Sequence, residues 1–222
     1  GFSFNILAGA IFMLLLLRSY GLGYSAAFAG AAAFVFTTKM LGTPHTNRIV
    51  TFIHLPLILY ALRRLWDTRK WIFMVLLGGA VGSQIGSYHP QVAYYGLLMI
   101  GLYSVYRLIH GLIEKETWTR LVTPMGMTGV SLAIGYYLAS IVLIPMQEYL
   151  PFSIRGAGGS SGTGGLSFDY ATGWSFSWWE IFTFIIPGFS GFGGNTYWGD
   201  MPFTSYPHYL GIPVVILAII AL

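Results

Sequence analysis

The stretch Leu121-Val-Thr-Pro-Met-Gly-Met-Thr-Gly-Val-Ser-Leu-Ala-Ile-Gly-Tyr-Tyr-Leu-Ala-Ser-Ile-Val-Leu-Ile144 runs for 24 positions without a charged residue. A helix of about 20 apolar residues crosses the hydrocarbon of a bilayer, so this run reads as a transmembrane helix. The whole chain agrees: 55% of it is hydrophobic, 8% is charged and its mean hydropathy is +0.68. A soluble domain carries roughly 25% charged residues. The lipid bilayer is therefore the first partner the sequence implies.

Working outward, five more apolar runs precede this one, at residues 4–17, 24–36, 49–62, 71–85 and 92–109, and a seventh begins near Gly211. The second run is rich in Ala and Gly, which allow close helix packing. The expected fold is an all-α, polytopic transmembrane helix bundle in a single domain over 1–222. It has six complete spans, a truncated seventh and a long loop at 148–209. The chain opens on Gly1 and closes on Leu222 inside an apolar run, so it is expected to be a fragment of a larger membrane protein. The absence of cysteine excludes disulfides, thiolate metal sites and a Cys nucleophile. The basic residues are scattered, which argues against nucleic acid as a partner.

Charge placement predicts the orientation. If Arg63-Arg-Leu-Trp-Asp-Thr-Arg-Lys70 is cytoplasmic, alternation brings Arg18, Arg107, Lys115 and Arg120 to the same side. That side collects eight of the 11 basic residues, and Lys39, Arg48 and Arg155 fall on the other. The excess marks the cytoplasmic face. His45, Arg48, His89, Gln91 and the loop at 148–209 are then extracytoplasmic.

Three segments on that face carry chemistry. Pro44-His-Thr-Asn-Arg48 is either a polar turn or an anion site, with Arg48 supplying fork geometry, His45 a titratable donor and the next helix its positive end. Tyr88-His-Pro-Gln91, followed by Tyr94-Tyr95, sets His89 and Gln91 at the start of a helix. The long loop holds four of the seven carboxylates. Its tract at 156–165 is a flexible linker or a lid. The segment 176–189 around Glu180 is too short to span and reads as an interfacial helix. The aromatic run Tyr197-Trp-Gly-Asp-Met-Pro-Phe-Thr-Ser-Tyr206 suits either a carbohydrate site or a membrane aromatic belt. His54 lies inside an apolar run and reads as a helix-packing hydrogen-bonder, with function the rival reading.

These motifs resemble the YfhO family of bacterial membrane proteins, placed among membrane glycosyltransferases of the C-type fold. Pro44-His45-Thr-Asn-Arg48 stands where the family has a Gly-His-x-x-Lys-like motif. His89-Pro-Gln91 with Tyr94-Tyr95 matches its His-x-Gln and Tyr pair. Tyr197 to Asp200, Pro202 to Thr204 and Tyr209-Leu-Gly211 match its outer-loop run. Pro44 and Arg48 replace the family's usual Gly and Lys.

The resemblance implies transfer of a sugar from a polyprenyl-phosphate donor to a cell-envelope polymer or lipid acceptor, at the outer face of the bacterial cytoplasmic membrane. It assigns His45, Arg48, His89 and Gln91 to the donor phosphate, and Tyr197, Trp198, Asp200 and Tyr206 to sugar or acceptor. Enzymes of this fold keep a catalytic Asp or Glu in the first outer loop, which would precede Gly1; Asp200 and Glu180 are the weaker candidates present. A donor with one phosphate makes a metal optional, and Asp200 with Asp169 would hold a divalent cation. The rival expectation is a non-catalytic transporter or scaffold for lipid-linked glycans.

Overall fold

A computed structural model describes residues 2–37, 40, 46–87, 89–152, 168, 172–173, 175–202, 204 and 209–220, without the side chains of Thr46 and Asn47. The described residues form helices and no strand. The helices are α1 (Phe2–Ser19), α2 (Tyr24–Val35), α3 (Thr46–Thr68), α4 (Trp71–Gly86), α5 (Pro90–Ile113), α6 (Trp118–Tyr149) and α7 (Ile212–Ile220). The chain divides into two compact units, Gly1–Val35 with His45–Met146, and Phe36–Pro44 with Gln147–Leu222.

Four helices, α1, α3, α5 and α6, are long and apolar enough to cross a membrane. The 12 residues of α2 and 16 of α4 make shorter apolar helices, about 18 and 24 Å long. Apart from α2 and α7, the observed helices overrun the apolar runs at one or both ends. The run expected at 49–62 becomes the 23-residue α3, and that at 121–144 becomes the 32-residue α6. Charge does not stop α3 at Arg63, because guanidinium groups bend back onto aromatic faces: Arg63 lies 4.0 Å over the Tyr20 ring and Arg64 5.4 Å over Phe73. The helix ends instead at Arg69, whose φ of 54° is left-handed and whose N–H donates back to Leu65 O at 2.8 Å. Lys115, with φ 55°, ends α5 in the same way.

In the first unit α3 is the hub. It packs against α1, α4 and α5, and 56% of its span is buried, against 11–22% for the other three long helices. The outward faces of those helices are apolar, with Phe4, Leu102 and Ile141 exposed. An apolar surface of this extent belongs in lipid rather than water. The C-terminal ends of α1, α3 and α5 meet: Arg63 Nε donates to Ser19 O at 3.3 Å, and Arg107 Nη1 pairs with Asp67 Oδ1 at 2.6 Å. These three helices therefore run in parallel.

Between lipid-embedded helices there is no water to expel, so association rests on close packing and polar bonds. Both are present. A Cβ on Gly82 would fall 2.9 Å from Leu138 Cβ and 3.0 Å from Gly135 O. One on Gly135 would fall 2.8 Å from Val81 Cγ1. Small residues thus bring α4 and α6 into backbone contact. At the other side of α4, the buried Gln84 donates through Nε2 to Thr51 O on α3 at 3.0 Å. Its Oε1 occupies the space a Cβ on Gly96 of α5 would need. His54 Nδ1–H donates to Val50 O of its own helix at 2.5 Å, and its ring lies 6.2 Å from that of Phe12 on α1.

Gly82→Leu is expected to cost about 1–3 kcal/mol by overpacking, and Gln84→Leu about 0.6 kcal/mol, rising to about 1.7. Gly101→Leu, where a Cβ meets open space, should stay within about 0.5 kcal/mol. Denaturant unfolding in detergent micelles ranks the three; a Gly101 cost equal to that at Gly82 would refute the close-packing account.

Candidate functional site

In the second unit, the sequence Ser177-Trp-Trp-Glu180 is a capping box. Ser177 starts the 3-10 helix Trp178–Phe184, and its N–H donates to Glu180 Oε2 at 3.0 Å. The two roles close one turn on itself. Glu180 is 1% exposed, and a buried carboxylate is tolerated where hydrogen bonds replace its water. Its other oxygen, Oε1, accepts from Tyr197 Oη at 2.5 Å. Tyr197 Oη in turn accepts from Met201 N at 2.9 Å. Both Glu180 oxygens are thus engaged, Oε2 within the turn 177–180 and Oε1 in tying that turn to 197–201.

This fastening demands glycines. A Cβ on Gly199 would collide with Glu180 Oε1 and Tyr197 Oη. Gly191, at φ 89°, leaves no room for one beside Thr196 O. Inside the turn, Thr183 and Ser190 share a buried hydrogen bond of 2.9 Å, and Trp198 N donates to Ser190 O at 3.1 Å.

What the fastening presents is Asp200 and two indoles. Asp200 is exposed, and its Oδ2 accepts from Ser177 Oγ and from Trp179 Nε1, the latter at 2.9 Å. Those two donors hold its carboxyl below the usual aspartate range, Ser177 contributing most. It is ionised at neutral pH. The Trp179 and Trp198 rings stack with centroids 5.2 Å apart and planes 17° apart, an arrangement worth about 0.5–1.5 kcal/mol beyond burial. Phe189 packs tilted against both, at 6.1 and 6.4 Å. Trp198 is 63% exposed, so a broad π face stands open beside a fixed negative charge. Comparisons with protein-family models, with curated proteins and with solved structures gave no match.

The structure therefore joins four residues singled out by sequence, Glu180, Tyr197, Trp198 and Asp200, in one cluster. It divides their roles: Glu180 is buried and fully bonded, while Asp200 is open. Ser177, Trp179 and Gly199 complete the cluster and were not singled out; the Ser-x-x-Glu spacing was the signal for the first. Tyr206, Asp169 and His45 lie outside the described residues. No group of three or more His, Asp or Glu gathers as a metal site among the described residues.

Arg48, His89 and Gln91 belong to the first unit. Arg48 is exposed in the first turn of α3, and His89 caps α5 with Pro90 as its first residue. Gln91 is exposed and its Nε2 donates to Tyr95 Oη at 3.1 Å. The Gln84–Thr51 bond ties the start of α3 to the end of α4 and abuts Gly96 near the start of α5. Arg48 and His89 thus lie at one end of the unit, opposite the Asp67–Arg107 pair.

Two outcomes test the cluster. Burial, reinforced by the Glu180 hydrogen bond, pushes the Tyr197 phenol up to about 12. Because the folded value is raised, the stability its proton confers is complete below the ordinary phenol value of about 10. That stability is lost as pH rises from there through about 12. In a tyrosinate absorbance titration Tyr197→Phe should delete a late-titrating phenol. Gly199→Ala should release Tyr197 to an earlier titration and separate the stacked indoles, read as a change in near-ultraviolet circular dichroism. An unchanged spectrum would dismiss the steric constraint.

Proposed function

We propose that the chain is part of a membrane glycosyltransferase that takes sugar from a polyprenyl-phosphate donor, with the cluster around Asp200 contacting sugar or acceptor. The observation that carries this reading is the stacked Trp179–Trp198 pair with ionised Asp200 at its edge. An open indole face suits the C–H face of a pyranose, and a carboxylate whose donors fix its position accepts from sugar hydroxyls. Arg48, His45, His89 and Gln91 would take the donor phosphate. Arg48 and His89 stand at one end of the first unit, each at a helix start, where anions are favoured. Cations there would stabilise the phosphate as it leaves.

The reading includes six crossings, with 148–209 on the extracytoplasmic side of the bacterial cytoplasmic membrane. Its support is topological. Since α1, α3 and α5 run in parallel, the chain must return between Ser19 and Thr46 and again between Thr68 and Pro90. α2 and α4 lie in those two returns. The ends where α1, α3 and α5 finish collect Arg18, Arg63, Arg64 and Arg107, as a cytoplasmic face would. The rival reading, a transporter for lipid-linked glycans, gains nothing from Pro56, since α3 runs continuously past it.

The test uses the full-length protein in membranes with a radiolabelled polyprenyl-phosphate sugar. Trp198→Ala and Asp200→Asn should each lower transfer about tenfold or more, equivalent to about 1.4 kcal/mol of lost transition-state binding. Trp118→Ala, on the first unit, should leave it unchanged. Donor binding without any transfer to an envelope fraction would favour the transporter or scaffold instead.

A further inference from the structure

The second unit presents a negative charge that its own residues do not answer. Both donors that hold Asp200, Ser177 Oγ and Trp179 Nε1, reach the same oxygen, Oδ2. Among the described residues Oδ1 has no hydrogen-bond partner, and no Lys, Arg or His stands within ion-pair distance of the carboxylate. The sequence around it is equally one-sided. From Gly156 to Leu222 there is no Lys or Arg and one His, His208, against three carboxylates, Asp169, Glu180 and Asp200. The chain as a whole carries a net charge of +4, so this segment reverses its sign.

The donors of the cluster are spent internally. Tyr197 gives its hydroxyl proton to Glu180, while Ser177 and Trp179 give theirs to Asp200. What is left to a ligand is a carboxylate oxygen and the open face of Trp198, which is negative at its centre. The two are neighbours. Asp200 accepts at 2.9 Å from Nε1 of Trp179, the ring stacked 5.2 Å from that of Trp198. Both features attract positive charge. A phosphate or carboxylate would meet repulsion here, and a neutral hydroxyl would gain little from the charge. An ammonium brings three N–H donors, no acceptor and the missing positive charge, and the ring quadrupole attracts it to the indole face.

We propose that the pyranose seated on the Trp198 face carries a free amino group, held as an ammonium by Asp200 Oδ1 and the indole. This rests on the reading of the cluster as a sugar site, and it narrows the substrate to an amino sugar whose nitrogen is not acylated. An N-acetyl group would remove the charge and two of the three N–H donors.

The test is saturation-transfer NMR on the full-length protein in detergent micelles, with methyl glucosaminide, methyl N-acetylglucosaminide, methyl glucoside and choline as probes. At low salt and about pH 6, methyl glucosaminide should bind about tenfold tighter than the two neutral glycosides. An amine on a sugar ring titrates much as an α-amino group does, at about 8, so the preference should fade by about pH 9.5. The Tyr197 phenol, at about 12, still holds the cluster together there. Asp200→Asn should abolish the preference while the neutral glycosides still bind, and Asp200→Glu should restore part of it. Trp198→Ala should weaken all three glycosides; if thermal melting shows that variant unfolded, Trp198→Phe, which keeps a weaker π face, takes its place. Competition with a labelled donor lipid assigns the amino sugar to the donor, and unchanged donor binding assigns it to the acceptor. Equal binding of charged and neutral glycosides would overturn the proposal and leave the sugar-site reading standing. Choline binding as tightly as methyl glucosaminide would overturn the amino sugar in favour of a lipid headgroup. Binding of none of the four probes would overturn both readings. The ranking needs no turnover, so a failed transfer assay leaves it intact.

Discussion

The amide of Gln84, buried and bonded to the Thr51 carbonyl at 3.0 Å, is the constraint on which the first unit turns. In water the α3–α4 interface would be driven by expelling solvent; between lipid-embedded helices that drive is absent. A buried primary amide must find an acceptor, and the nearest is a backbone carbonyl on the neighbouring helix. Its other end then requires that α5 offer no side chain at Gly96. One side chain thereby sets the spacing of three helices. It does so at the end of the unit where Arg48 and His89 stand, so the candidate phosphate residues inherit their placement from it.

The second unit solves a different problem. Its segment 177–201 has short 3-10 turns and no long helix, so its backbone cannot satisfy itself. Glu180 acts as the internal acceptor, gathering a main-chain N–H and a phenol. Asp200, 20 positions on, is oriented by two donors yet stays open. Burial separates the roles of two carboxylates so close in sequence. The neutral phenol of Tyr197 is part of that separation, because a phenolate beside Glu180 would place two negative charges on one hydrogen bond.

The apolar runs were legible because bilayer thickness imposes a length that few soluble helices meet, and all seven are helical. Their ends were less legible. Arg63 and Arg64 read as a stop, whereas aromatic partners distant in sequence, Tyr20 and Phe73, let the helix carry them. Gln84 read as one polar position near the end of an apolar run; its importance lies in Thr51 and Gly96, which no local pattern links to it. Gly82 and Gly135 likewise gain meaning from the facing helix. In the loop, Tyr197, Trp198 and Asp200 stood out by chemistry. Ser177, three positions before Glu180, was readable as a cap, but Trp179 as the partner of Asp200 depends on the fold of the turn. The polar cavity lined by Arg63 and Arg107 draws on α1, α3, α5 and the turn after α5, and no single segment announces it.

Length gives the most direct physical reason to place α3 across a bilayer. Arg48 and Asp67 are 19 helical steps apart, about 29 Å at 1.5 Å per residue. The hydrocarbon layer is about 30 Å thick. Between these two residues the ionisable side chains are His54, Tyr60, Arg63 and Arg64. His54 is served by the helix's own backbone at Val50 O. Arg63 and Arg64 lie within the last turns, where their stems reach toward the polar end while their heads rest on rings. A helix of the same composition in a soluble core would have no reason to bracket its apolar length with charge at this separation. The hub helix thus couples the two ends of the unit as a rigid rod: the residues assigned to a donor phosphate stand at one end, and the Asp67–Arg107 pair stands at the other.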